Sequence, residues 1–141
     1  MDNVLVVVDD IEAAIAFFVE LGMEVEGRTT VEGRWVDRVI GLDDVRAEIV
    51  MLRMPDGHGG IELTRFETPP AVRPEPNGAP VNTLGIGRIM FAVDDIEAVL
   101  ERLRTHGAEL VGEVVDYEDI YRLCYIRGPE GIILGLAQRL S

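Results

Sequence analysis

Apolar residues recur along the chain at two periods, and each change of period marks an element. Residues 3–8 are almost wholly aliphatic, which predicts a buried strand that Asp9 stops. The spacing then becomes helical. Ile11, Ala14, Ile15, Phe18 and Leu21 form one stripe, Asp9 and Glu12 read as an acidic capping box, and Gly22 reads as a left-handed end. Residues 23–31 predict a solvent-edged strand. Trp35, Val36, Val39 and Ile40, followed by Gly41, predict one or two helical turns. A long strand is expected over 45–54, a turn at Pro55-Asp56-Gly57 and a fourth strand over 61–66.

Beyond residue 68 the pattern breaks. Pro69, Pro70, Pro74, Pro76 and Pro80 are five of the seven prolines, and proline cannot serve a central strand, so 69–82 is expected to be an extended surface linker. Periodicity resumes with a strand over 86–93, a helix over 95–106 capped by Gly107, and strands over 109–115, 121–127 and 132–137. Pro129-Glu130-Gly131 echoes the earlier turn.

The two halves share more than order. Val8-Asp9-Asp10-Ile11-Glu12-Ala13 returns as Val93-Asp94-Asp95-Ile96-Glu97-Ala98, each residue 85 positions on, and the same offset carries Gly22 onto Gly107 and Glu24 onto Glu109. A period near half the length means two modules. The fold class expected is α+β: two tandem βαβββ modules, 1–68 and 83–141, forming curved mixed sheets around a shared cavity with their helices outside, in a single domain of residues 1–141.

Composition narrows the partners. With 26 acidic and 13 basic residues the net charge is −13, a surface that repels phosphate backbones, so neither nucleic acid nor an anionic membrane is an expected partner. No apolar run reaches the length of a membrane span. Met1-Asp2-Asn3 leads straight into a strand without a basic leader, and one cysteine, Cys124, forbids an internal disulfide; both fit a cytoplasmic location. Cys124 has no neighbouring histidine and reads as a buried, inert thiol. His106 sits at a helix C-terminus, where a cation suits the dipole, and His58 sits in a glycine-rich turn; both read as structural.

The paired Val-Asp-Asp-Ile-Glu-Ala phrases, the Gly22 and Gly107 caps, Ile61-Glu62-Leu63, and Gly128-Pro129-Glu130-Gly131-Ile132-Ile133 together make the chain resemble the vicinal oxygen chelate superfamily of glyoxalases, bleomycin-resistance proteins, epimerases and extradiol dioxygenases. The resemblance covers essentially the whole chain and implies a homodimer. It also implies where a metal would sit, on a His early in the first strand of each module and an acid or Gln in the last. Those positions fall here on Asn3, Arg88, Glu62 and Gly135. Only Glu62 is a competent ligand, and Arg88 brings a permanent positive charge, so no metal and no other cofactor is expected.

Alternation along the strands turns Val4, Val6 and Val8 toward the helix and leaves Asn3, Leu5 and Val7 for the cavity, with Glu62, Thr64 and Phe66 beside them. By the same count Arg88, Met90 and Ala92, then Ile133, Gly135 and Ala137, line it in the second module. Tyr117 and Tyr121 suit a rim, with Asp37, Arg38, Glu118, Asp119 and Arg122 as charged candidates at the mouth and Trp35 as packing or contact. The lining is that of a small-molecule pocket. Two functions fit it. One is binding of a small hydrophobic or aromatic, in one form anionic, ligand, with Arg88 bridging Glu62 and the ligand. The other is a glyoxalase- or epimerase-like lyase or isomerase in which Glu62 moves a proton and Arg88 stabilises an oxyanion.

Overall fold

The computed structural model describes residues 1–74 and 78–141; Pro76 of the predicted linker lies outside the described residues. The chain divides into two compact units, Met1–Arg73 and Pro74–Ser141. The first runs β1 (Val4–Val7), α1 (Ile11–Glu20), β2 (Glu24–Glu32), α2 (Arg34–Ile40), β3 (Arg46–Arg53) and β4 (Gly60–Thr68). The second runs β5 (Ile89–Ala92), α3 (Ile96–Arg104), β6 (Glu109–Leu110), β7 (Val115–Tyr117), β8 (Tyr121–Arg127), a 3-10 turn (Pro129–Gly131) and β9 (Ile133–Arg139). Each unit is a mixed sheet with one parallel pair, ordered β1-β4-β3-β2 in the first and β5-β9-β8-β6 in the second, where β7 also pairs with β8.

The repeat is physical. Both long helices start on an aspartate whose carboxylate accepts a backbone N–H three residues on, Asp10 from Ala13 at 3.0 Å and Asp95 from Ala98 at 3.2 Å. The first cap is therefore Asp10 rather than the expected Asp9, because Asp10 is the extended residue that hands the chain into the helix. Both helices end alike. Met23 N–H reaches back to Phe18 and Ala108 N–H to Leu103, around Gly22 and Gly107 at φ 116° and 87°. Those positive angles are the reason for glycine at the two ends.

A third pair of equivalents explains a departure. Gly27 and Gly112 are also 85 apart. At Gly27 strand β2 slips its register, and at Gly112 the expected strand over 109–115 is interrupted, leaving β6 and β7 as separate short pieces.

Each sheet buries one face against its own helix. Val6, Val8, Leu63, Val50 and Leu52 are buried, as are Ile11, Ala14, Phe17 and Phe18 of α1; in the second unit Phe91, Leu134, Leu136, Cys124 and Ile126 are buried, as are Ile96, Val99, Leu100 and Leu103 of α3. Where β2 to β4 extend past α1, an unbroken chain of ion pairs covers the same side: Glu12–Arg28–Glu48–Arg65–Glu67–Arg46–Glu32, at 2.6 to 3.8 Å. Exposed pairs of this kind add little stability. They keep a sheet surface wet and unattractive to apolar partners.

Candidate functional site

The faces turned away from α1 and α3 carry the candidate residues. In the first unit, cross-strand register sets Leu5, Glu62, Met51 and Gly27 in one row and Val7, Thr64, Ile49 and Thr29 in the next. Leu5 and Val7 are 48% and 39% exposed whereas Val6 and Val8 are buried, so the predicted alternation holds along β1. Glu62 is half-buried, and the Thr64 hydroxyl donates to its Oε2 at 3.3 Å. Thr64 itself is buried. Asn3 turns to its neighbour, its Nδ2 donating to Asp2 at 2.7 Å. Phe66 belongs to a small cluster with Val36, Val45, Ala47 and Val31, so α2 covers this end of the face and commits the ring to packing.

Two of the charged residues proposed for the mouth, Asp37 and Arg122, have structural partners. Asp37 accepts the backbone N–H groups of Asp44 and Val45 at 3.1 and 2.9 Å, tying α2 to the start of β3. Arg122 binds Asp116 through Nε at 2.8 Å across the β7–β8 ladder, and this bond holds the Asp116 carboxyl below the usual carboxylate range. Glu118 and Asp119 form the hairpin turn, both at positive φ. Tyr117 and Tyr121 face each other across that hairpin, 55% and 38% exposed, and Trp35 is 61% exposed.

In the second unit the rows are Met90–Gly135–Tyr125 and Ala92–Ala137–Leu123–Val115. Ile133 lies on this side as predicted but is buried beside Arg127. Gly135 is there for close approach. A side chain at this position would put its Cβ 2.7 Å from Met90 Sδ, 2.9 Å from Met90 Cε and 3.2 Å from Arg88 Cδ. Both side chains therefore lie across the glycine, and Arg88 reaches Tyr125, its Nε donating to the phenolic oxygen at 2.6 Å with the guanidinium carbon 5.5 Å from the ring centre.

Tyr125, Met51 and Ile49 are the residues that the sequence reading passed over. Tyr125 lies four residues after Tyr121 on β8, so alternation along the strand puts the two on one side. What alternation lacks is the pairing of Tyr125 with Gly135, which brings the hydroxyl within reach of Arg88.

These residues do not fit a divalent metal. Of the four positions that the resemblance assigns to ligands, Asn3 is engaged with Asp2, Arg88 is cationic, and Gly135 offers only a backbone covered by Met90 and Arg88. Among the described residues no three His, Cys, Asp or Glu side chains form a group that would hold a metal ion. His58 lies in an exposed turn, where its N–H donates to Asp56.

Cys124 is buried on the α3 side, and burial, aided by the charge of Glu97, pushes its thiol from 9.0 up to about 11. The folded state thus holds this proton more tightly than the unfolded chain does. The resulting stability is complete below about pH 9 and is lost as pH rises toward about 11. All 13 basic side chains are arginines, so no lysine titrates in that window. The stability gap between wild type and Cys124→Ala, followed by urea unfolding, is expected to narrow by on the order of 2 kcal/mol across it. A gap that stays flat would place the thiol in contact with water.

Comparison with known proteins agrees with this fold. A glyoxalase family protein from Bacillus cereus is 56% identical and superposes with a TM-score of 0.94, over 100% of this chain and 94% of that one. The trypanothione-dependent glyoxalase I of Leishmania major, 19% identical, shares the fold with a TM-score of 0.67, over 98% of this chain and 85% of its own. The "Putative glyoxylase CFP32" of Mycobacterium tuberculosis is 31% identical over 87 residues, which are 60% of this chain and 33% of the relative, so the match spans about a third of that protein. No helix among the described residues is long and apolar enough to cross a membrane. The profile of one family matches residues 1–136, nearly the whole chain, and the protein belongs to it: the Glyoxalase/Bleomycin resistance protein/Dioxygenase superfamily.

Proposed function

We propose that this protein binds a small hydrophobic or aromatic molecule without a resident metal, in the manner of a bleomycin-resistance-like binder rather than a metal-dependent glyoxalase. The observation that carries this reading is the open side of the second sheet. There Met90, Val115, Tyr117 and Tyr121 are 38% to 56% exposed, an apolar and aromatic strip with the cationic Arg88 next to Met90 at one end. Such a strip with one polar anchor is the usual make-up of a ligand site. Titration with 2-naphthamide, a neutral aromatic probe, is expected to give saturable shifts of the Met90 methyl signal in NMR. Shifts that grow linearly, or spread over the whole chain, would remove the reading.

A second reading, proton transfer by Glu62, draws on one observation. Within its unit this carboxylate has a neutral hydroxyl partner and no cation, so nothing there holds it as a spectator in an ion pair. A glyoxalase assay on wild type and Glu62→Gln separates the two: turnover in wild type that Glu62→Gln abolishes belongs to the enzyme, and no turnover belongs to the binder.

A further inference from the structure

Arg88 is held differently from the arginines that form ion pairs. Arg28, Arg46, Arg53, Arg65, Arg73 and Arg122 each pair with a carboxylate. Arg88 has none among the described residues of its unit. Its partner is Tyr125, whose hydroxyl accepts from Nε and whose ring lies under the guanidinium carbon. A phenol fixes the guanidinium without neutralising it.

Three residues on three strands build the placement: Gly135 removes the Cβ that would obstruct Arg88 Cδ, Met90 lies over the same glycine, and Tyr125 anchors Nε at 2.6 Å. With Nε spent, the two terminal nitrogens remain, and they are the planar fork that matches a carboxylate end-on. Because the Tyr125 oxygen accepts from Nε, its own proton is left to donate. Next to this group the row Ala92–Ala137–Leu123 is small and apolar, a shallow floor for a hydrocarbon.

We infer that the open side of the second unit takes a hydrophobic monocarboxylate, its carboxylate held by the terminal nitrogens of Arg88 and its apolar body laid along Met90, Ala92 and Leu123. This deepens the binding reading above and rests on it. The total charge selects among anions: at a net charge of −13 a phosphate dianion meets more repulsion than a carboxylate. Tyr125 is a positioning residue, since it fixes the angle of the fork.

The test compares 2-naphthoate, 2-naphthamide and 2-naphthyl phosphate by isothermal titration on wild type, Arg88→Leu, Arg88→Lys and Tyr125→Phe. Arg88 is exposed, so its replacements are expected to fold, and matching thermal unfolding midpoints verify it. Wild type is expected to bind naphthoate about tenfold or more tighter than naphthamide. Arg88→Leu should abolish that preference, weakening naphthoate far more than naphthamide, Arg88→Lys should restore only part of it, and Tyr125→Phe should lose part of it. Equal binding of naphthoate and naphthamide, a preference indifferent to Arg88, or tighter binding of the phosphate would overturn the carboxylate assignment while leaving the binding reading in place. Binding of none of the three would remove both.

Discussion

Phe18→Ala is expected to destabilise the protein by about 3 to 5 kcal/mol, the cost of removing a fully buried aromatic ring and leaving a cavity. Phe18 is 0% exposed and packs edge-to-face on Phe17 with centroids 5.5 Å apart at 71°. Its neighbour supplies the control. Val19, one residue on along the same helix, is 45% exposed, and Val19→Ala should change stability by less than about 0.5 kcal/mol. Urea unfolding reads both, with midpoints shifted and slopes unchanged. A Phe18→Ala cost near that of Val19→Ala would mean that the helix does not dock through this stripe.

The contrast between Phe18 and Val19 was readable in the sequence because α1 repeats its apolar stripe at helical spacing, and local spacing is what a helix obeys. The same holds for β1, where Val6 and Val8 are buried and Leu5 and Val7 are not. Features that depend on which strand lies beside which were less accessible. Phe66 alternates correctly to the open side, but α2 folds over it, and only the tertiary path of a seven-residue helix decides that. Asp37 read only as a charged candidate at the mouth, since its partners are backbone N–H groups, which carry no sequence signature. Arg88 was singled out by the 85-residue offset, which aligns it with Asn3. Its partner Tyr125 was not, since the two meet across Gly135 through a parallel and an antiparallel ladder that no periodicity encodes.

Gly135→Glu is expected to weaken 2-naphthoate binding by about ten- to a hundredfold and to leave 2-naphthamide far less affected. The new carboxylate would spring from the residue that Arg88 already crosses, with its Cβ 3.2 Å from Arg88 Cδ. An acid tethered there competes for the guanidinium at the high effective concentration of an intramolecular group, so an external carboxylate must displace it. Met90 has to yield first, because its Sδ and Cε stand 2.7 and 2.9 Å from the new Cβ. It can do so. Those atoms are the far end of a flexible side chain that is 38% exposed, so the adjustment is a change of rotamer rather than a break in the sheet. Gly135→Ala separates sterics from charge. It adds the same Cβ without the acid, and it should move Met90 while retaining most of the naphthoate preference. If Gly135→Ala and Gly135→Glu weaken naphthoate equally, the glycine matters only for space, and a carboxylate at this position does not engage Arg88.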